Sequence, residues 1–138
     1  MMLPVIIRRK LKGANGRNWP GFVVLNPDAP MPAAVLAQEV WESRHKLNPF
    51  TLLKTVLSDR AKRRMELMGH EVEVQAAILI YDSNAVRHRN REAAAMKAGY
   101  DGIFAGYSIA DIQSGMSAQS DEARRWVRKN MKRLERFK

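Results

Sequence analysis

Apolar and polar positions alternate differently in the two parts of the chain. Near the N-terminus, Val5-Ile6-Ile7 followed by Arg8-Arg9-Lys10 predicts a short strand. The β-branched and aromatic run Gly21-Phe22-Val23-Val24-Leu25 predicts a second strand that pairs with it. Between them, Gly13-Ala14-Asn15-Gly16-Arg17-Asn18 reads as a turn-rich loop punctuated by Trp19-Pro20-Gly21. Pro27, Pro30 and Pro32 exclude regular structure over 26–32 and deliver the chain to a helix, since proline is tolerated in a first helical turn.

From there the apolar spacing becomes helical. Val35, Leu36, Val40, Trp41 and Leu47 give a broad apolar side to a helix over 33–46, which Asn48-Pro49 stops. A second helix over 50–68 turns Leu52, Leu53, Val56 and Leu57 inward and Arg60, Lys62, Arg63 and Arg64 outward, and Gly69 closes it. A third covers 71–81, and a fourth covers 87–98 and ends on a left-handed cap at Gly99. Tyr100-Asp101-Gly102 is a turn, and Ser108 caps a short helix over 108–112. The small, polar stretch 114–120 reads as a linker to a last helix over 121–137, with Trp126, Met131, Leu134 and Phe137 as a discontinuous apolar stripe. The expected class is α+β, mainly helical, with a short N-terminal β element. The expected division is a domain over 1–113, a linker over 114–120 and a basic helix over 121–138.

At 138 residues there is room for one domain with a substantial core. The absence of cysteine excludes disulfides, thiolate nucleophiles and cysteine zinc sites. The apolar run before Arg8 is too short for a signal peptide, and its basic residues follow rather than precede it, so export by signal peptide is not expected. No run approaches the roughly 18 to 20 apolar residues of a membrane span. The net charge of +10 attracts polyanions: nucleic acid, anionic lipid or an acidic protein face. It concentrates at the C-terminus, where Arg124, Arg125, Arg128, Lys129, Lys132, Arg133, Arg136 and Lys138 face only Asp121, Glu122 and Glu135. The first seven are candidates for a polyanion or partner contact. A solubilising surface helix is the alternative.

Two segments carry the candidate chemistry: Ala37-Gln38-Glu39-Val40-Trp41-Glu42 and Glu71-Val72-Glu73-Val74-Gln75-Ala76-Ala77. Positions 38 and 42 are i and i+4, one above the other on a helix face, the geometry by which a helix holds a metal with two side chains. A catalytic zinc needs a third protein ligand, an open position for water and a carboxylate beside it. The pattern resembles the zincin metallopeptidases, specifically the small Glu-zincin branch, over 22–77. In the intact H-E-x-x-H motif, 38 and 42 would be histidines; here they are Gln38 and Glu42. Glu39 keeps the general-base position and Glu73 the third-ligand position, while Ala77 stands where the family has an aspartate that orients a ligand histidine.

An amide and two carboxylates are a poor zinc set and suit calcium, magnesium or manganese better. Three readings are open for the cluster. It is metal-free and hydrogen-bonded or salt-bridged, with Arg44, His45 or His70 offsetting the carboxylates; it holds an oxygen-liganded ion; or zinc hydrolysis survives through His45 and His70. Otherwise His45 reads as capping or solvent-facing and His88, among Arg87, Arg89 and Arg91, as surface. His70-Glu71 begins no second H-E-x-x-H because position 74 is Val. Neither a serine triad nor a phosphate-binding glycine loop is visible.

Small proteins of this layout are common in tailed bacteriophages. The resemblance implies a non-catalytic, cofactor-free binding or assembly protein of phage origin, virion-associated or working in the host cytoplasm during assembly. Its contacts would be the old cleft, the strand over 21–25 as the substrate-pairing edge, and the basic C-terminal helix. Its partners would be other phage or virion proteins, a second copy of itself, or DNA met by that helix. The rivals are an active metallopeptidase or peptidoglycan-processing enzyme, and a nucleic-acid-binding protein.

Overall fold

The computed structural model describes residues 4–100 and 102–138, so Asp101 of the expected turn lies outside the described residues. The chain is α+β and mainly helical. Strands β1 (Val5–Arg8), β2 (Gly16–Trp19) and β3 (Phe22–Leu25) precede helices α1 (Pro32–His45), α2 (Pro49–Leu57), α3 (Asp59–Tyr81), α4 (Ala85–Gly99), α5 (Ile109–Ser117) and α6 (Ser120–Leu134), and a 3-10 turn (Glu135–Phe137) ends it.

The sheet order is β1-β3-β2: β3 pairs parallel with β1 and antiparallel with β2. The strand expected to be the edge is therefore the central one, and the segment expected to be loop supplies β2. Gly16, Arg17 and Asn18 have weak strand preference, which hid β2 from a composition-based reading. The signal that survives is the turn: Pro20 precedes Gly21 at φ +85°, the pairing that a type II turn demands. Trp19 and Phe22 stack across it at 4.8 Å.

The helix boundaries shift in instructive ways. Asn48 caps α2 by accepting from the N–H groups of Phe50 and Thr51. The expected single helix over 50–68 breaks at Ser58, whose extended backbone ends α2 and whose hydroxyl caps α3 through Ala61 N–H. Gly69 does not stop a helix but lies within α3. Gly99 likewise is the last residue of α4 rather than a left-handed cap. Ser108 and Asp111 form a reciprocal capping box, and α5 runs on through Ser117, beyond the expected short helix.

The main core packs Val23 and Leu25 of the sheet against α1 (Ala33, Leu36, Ala37, Val40), α3 (Val72, Ala76) and α6 (Ala123, Val127, Leu134). A second cluster joins Val74 of α3 to Ala93 and Met96 of α4, Ile103, Phe104, and Ile112 and Met116 of α5. The stretch expected as a linker is thus the end of α5, a two-residue turn and the start of α6. Helix α6 is built into the main core, while Trp126, Met131 and Phe137 are only partly buried. Helix α2 is turned opposite to expectation: Thr55 faces inward, and Phe50, Leu53, Val56 and Leu57 are exposed. Among the described residues no helix is long and apolar enough to cross a membrane.

Candidate functional site

Helices α1 and α3 pack against each other, with Ala34 and Ala37 of one and Ala76 and Ala77 of the other buried in the same core and Gly69 set against Glu42. A Cβ at Gly69 would fall on the Glu42 carboxylate. That close approach, not helix termination, is what requires glycine here. Into this seam α1 turns Gln38, Glu39 and Glu42. Helix α3 turns in Glu66, His70 and Glu73, which at i, i+4 and i+7 share one face. Helix α4 adds His88 and Glu92 at i and i+4, and β2 adds Asn18. All the named residues of α1 and α3, with His88, are buried.

Asn18 joins the sheet to the cluster. Its Nδ2 donates to Glu39 Oε2 at 2.5 Å and to Glu42 Oε2 at 2.7 Å, while its Oδ1 accepts from Lys46 Nζ at 2.6 Å. Gln38 Nε2 lies 3.5 Å from Glu42 Oε1 and 3.3 Å from His70 Nε2. His70 is the hub. Its Nδ1 is 3.0 Å from Glu92 Oε2, and its Nε2 is 3.6 Å from Glu66 Oε2 and 3.5 Å from the Tyr100 hydroxyl. His88 Nε2 faces Glu73 Oε2 and Glu92 Oε1, each at 3.5 Å, and Arg91 Nη2 lies 3.1 Å from His88 Nδ1. Positions 38, 42 and 73 are thus brought to one cluster through His70.

The electrostatics follow from burial among like charges. Burial, with Glu66 and Glu39 adding to it, pushes the Glu42 carboxyl up to about 8, so it is protonated at neutral pH. Burial also raises Glu39, against the opposing hydrogen bond from Asn18. For His70, burial works against the charged form, but Glu66, Glu42 and Glu73 outweigh it and raise the imidazole. Glu66 shows the reverse balance: burial would raise it, and His70 holds it below the usual carboxylate range. Burial and the surrounding carboxylates keep Tyr100 un-ionised.

Glu71 belongs to another network. Fully buried, it accepts two hydrogen bonds from Arg89, at 2.8 and 2.7 Å, and one from Gln75 at 2.8 Å. Arg124, expected to face a polyanion, instead donates to Gln75 Oε1 at 3.1 Å. The remaining basic residues divide. Arg128, Lys129, Lys132 and Arg133 line a 560 Å³ groove with Arg44 and Trp126. Arg136 lines a separate pocket with Arg8, and Arg125 is exposed. Arg44 and His45 thus do not offset the carboxylates: Arg44 faces the basic groove and His45 stacks on Trp41 at 4.9 Å.

His70 sits among the carboxylates, the offsetting role weighed for it from sequence, whereas His88, read as surface, is buried against Glu73 and Glu92; Glu66, Glu92, Tyr100 and Asn18 were not anticipated. A usable signal existed in the spacings Glu66-x3-His70-x2-Glu73 and His88-x3-Glu92, which put acid and imidazole on common helix faces. The arrangement can hold protons or a cation between carboxylates, and it keeps Glu39 away from bulk solvent. No protein-family model, curated protein or solved structure matches the chain.

Proposed function

We propose that this chain is a non-catalytic, zincin-like binding and assembly protein of the kind encoded by tailed bacteriophages. The observation that supports this most is the bridge from Asn18 to Glu39 and Glu42. A hydrolytic zincin needs its general-base carboxylate beside an open, water-bearing position. Here that carboxylate is buried and tied to the sheet, and the side chains at 38 and 42 lie against each other. With β3 central, the expected peptide-pairing edge is already occupied on both sides.

Contact then falls to the basic groove of α1 and α6, where Arg44, Arg128, Lys129, Lys132 and Arg133 suit the acidic face of another assembly protein. The same row of cations supports DNA as a second reading, because phosphate contacts need only positioned Lys and Arg.

The test of the non-catalytic reading is a hydrolysis assay on peptide and peptidoglycan substrates with zinc or manganese supplied. No turnover above buffer is expected. Turnover that disappears in Glu39→Gln would overturn it. A salt series with an acidic polypeptide and a DNA duplex separates the two partners: stronger binding to the polypeptide supports the assembly reading, and tight duplex binding that falls steeply with salt supports the other.

A further inference from the structure

The residues of α3 and α4 make a better metal site than the family positions on α1. One ligand atom each from His70, Glu73 and Glu92 lies within 4.8 Å of the others, all on side chains largely withdrawn from solvent. We propose that His70, Glu73 and Glu92 bind one divalent transition-metal ion, which ties α3 to α4 at a place distinct from positions 38 and 42.

Three independent features point to such a ligand. The first is unsatisfied polarity. Among the described residues, Glu66 Oε2 is the one buried side-chain nitrogen or oxygen without a hydrogen-bond partner, and it lies 3.6 Å from His70 Nε2. A metal-bound imidazole nearly always donates its other N–H to a carboxylate or carbonyl, which fixes the tautomer and turns the free lone pair to the ion. Glu66 stands where that acceptor is required, with Nδ1 turned to Glu92.

The second is the weak bonding of Glu73. Glu73 is buried, yet its nearest hydrogen-bond partner is His88 Nε2 at 3.5 Å. His88 is not counted as a ligand, because Arg91 Nη2 at 3.1 Å makes its Nδ1 an acceptor and leaves the Nε2 proton directed at Glu73 and Glu92. It is a positioning residue for both carboxylates.

The third is access. A 290 Å³ pocket lined by Met31, Val35, Glu73, His88, Arg91 and Glu92 leads from the surface to the two carboxylates. One imidazole and two carboxylates suit Zn²⁺ or Mn²⁺ better than Ca²⁺, which takes six to eight oxygens. Ligand atoms about 2.0 to 2.2 Å from an ion stand roughly 3 to 4 Å apart; His70 Nδ1 and Glu92 Oε2 already do, at 3.0 Å.

The site does not depend on the family resemblance or on the absence of hydrolysis. The test titrates chelator-treated full-length protein with Zn²⁺ and Mn²⁺ by calorimetry and follows Tm. One equivalent with a raised Tm is expected, about tenfold or more weaker in Glu92→Gln and unchanged in Glu42→Gln. The idea is overturned if wild type binds neither ion, if Glu92→Gln binds as well as wild type, or if Glu42→Gln abolishes binding, which would relocate the ion to α1. Pulsed EPR of the Mn²⁺-loaded wild type provides a readout free of variants: coupling to an imidazole nitrogen is expected, and its absence refutes His70 as a ligand.

Discussion

Replacing Gly69 with alanine tests the seam on which the whole cluster rests. By helix propensity alone Gly69→Ala should stabilise α3 by about 1 kcal/mol, because glycine is the poorest ordinary residue in a helix interior. The new Cβ, however, would stand 3.0 Å from both Cγ and Cδ of Glu42, with Oε1 nearer still. Glu42 is 4% exposed, and Asn18 holds its carboxyl at 2.7 Å, so it has little room to yield. Overpacking a filled site costs about 1 to 3 kcal/mol, and breaking the Asn18 bond adds about 1 more. The steric cost wins, and the variant should be about 2 kcal/mol less stable. Urea unfolding followed by far-UV circular dichroism would read this as a lower midpoint at unchanged slope. Gly99→Ala is the reference. Nothing lies within 4 Å of a Cβ there, so it should be neutral or up to about 1 kcal/mol more stable. Removing the obstacle in Gly69→Ala/Glu42→Ala should make the alanine at 69 favourable again, a coupling that a double-mutant cycle reports directly. A Gly69→Ala protein as stable as wild type would refute the close approach of α1 and α3 at Glu42.

Two further outcomes follow from buried charge. Arg89→Ala leaves Glu71, at 0% exposure, without its bidentate partner and should cost about 3 to 5 kcal/mol in urea unfolding. Adding Glu71→Gln should recover part of that, and a loss under about 1 kcal/mol would mean that the carboxylate is not sealed in. The pH dependence centres on Glu42, raised in the folded protein from 4.5 to about 8. Between those values the folded state keeps a proton that the unfolded state has released, so this group's contribution to stability declines as pH rises through the window. At pH 7 the penalty is on the order of 3 kcal/mol. Glu42→Gln should therefore gain on wild type steadily from pH 5 to pH 8; parallel curves would show that Glu42 ionises normally.

What the sequence revealed, and what it concealed, divides along physical lines. The helices α1 and α6 were legible because each carries apolar residues at helical spacing and polar ones between. The capping serine of α5 was legible for a local reason, since Ser108 and Asp111 need only each other. Strand β2 was not, because Arg17 and Asn18 are placed there by pairing with β3 rather than by their own preference. The inverted α2 was not, since its apolar side chains promise burial that nothing among the described residues supplies. Gly69 was misread because a glycine that admits a neighbouring side chain looks, in one dimension, like a glycine that ends a helix.

The same failure explains why His70 was only one of three candidate counter-charges. From Met65 to Ala77, α3 is buried on nearly every side, between the main core and the α4–α5 cluster, so it has no polar face for periodicity to find. Yet that stretch holds Glu66, His70, Glu71, Glu73 and Gln75, and polar groups so placed are tolerable only when each finds a partner. The productive reading of such a helix is a search for complementary pairs rather than for a hydrophobic stripe. Glu71 then demands a cation and meets Arg89; His70 demands carboxylates and meets Glu92 at 3.0 Å on Nδ1, with Glu66 Oε2 standing off at 3.6 Å from Nε2. Where the pairing fails, at Glu66 Oε2, something further must account for it. A second carboxylate would only add to the repulsion. A cation drawing on the far nitrogen of His70 would give Glu66 the N–H it is waiting for.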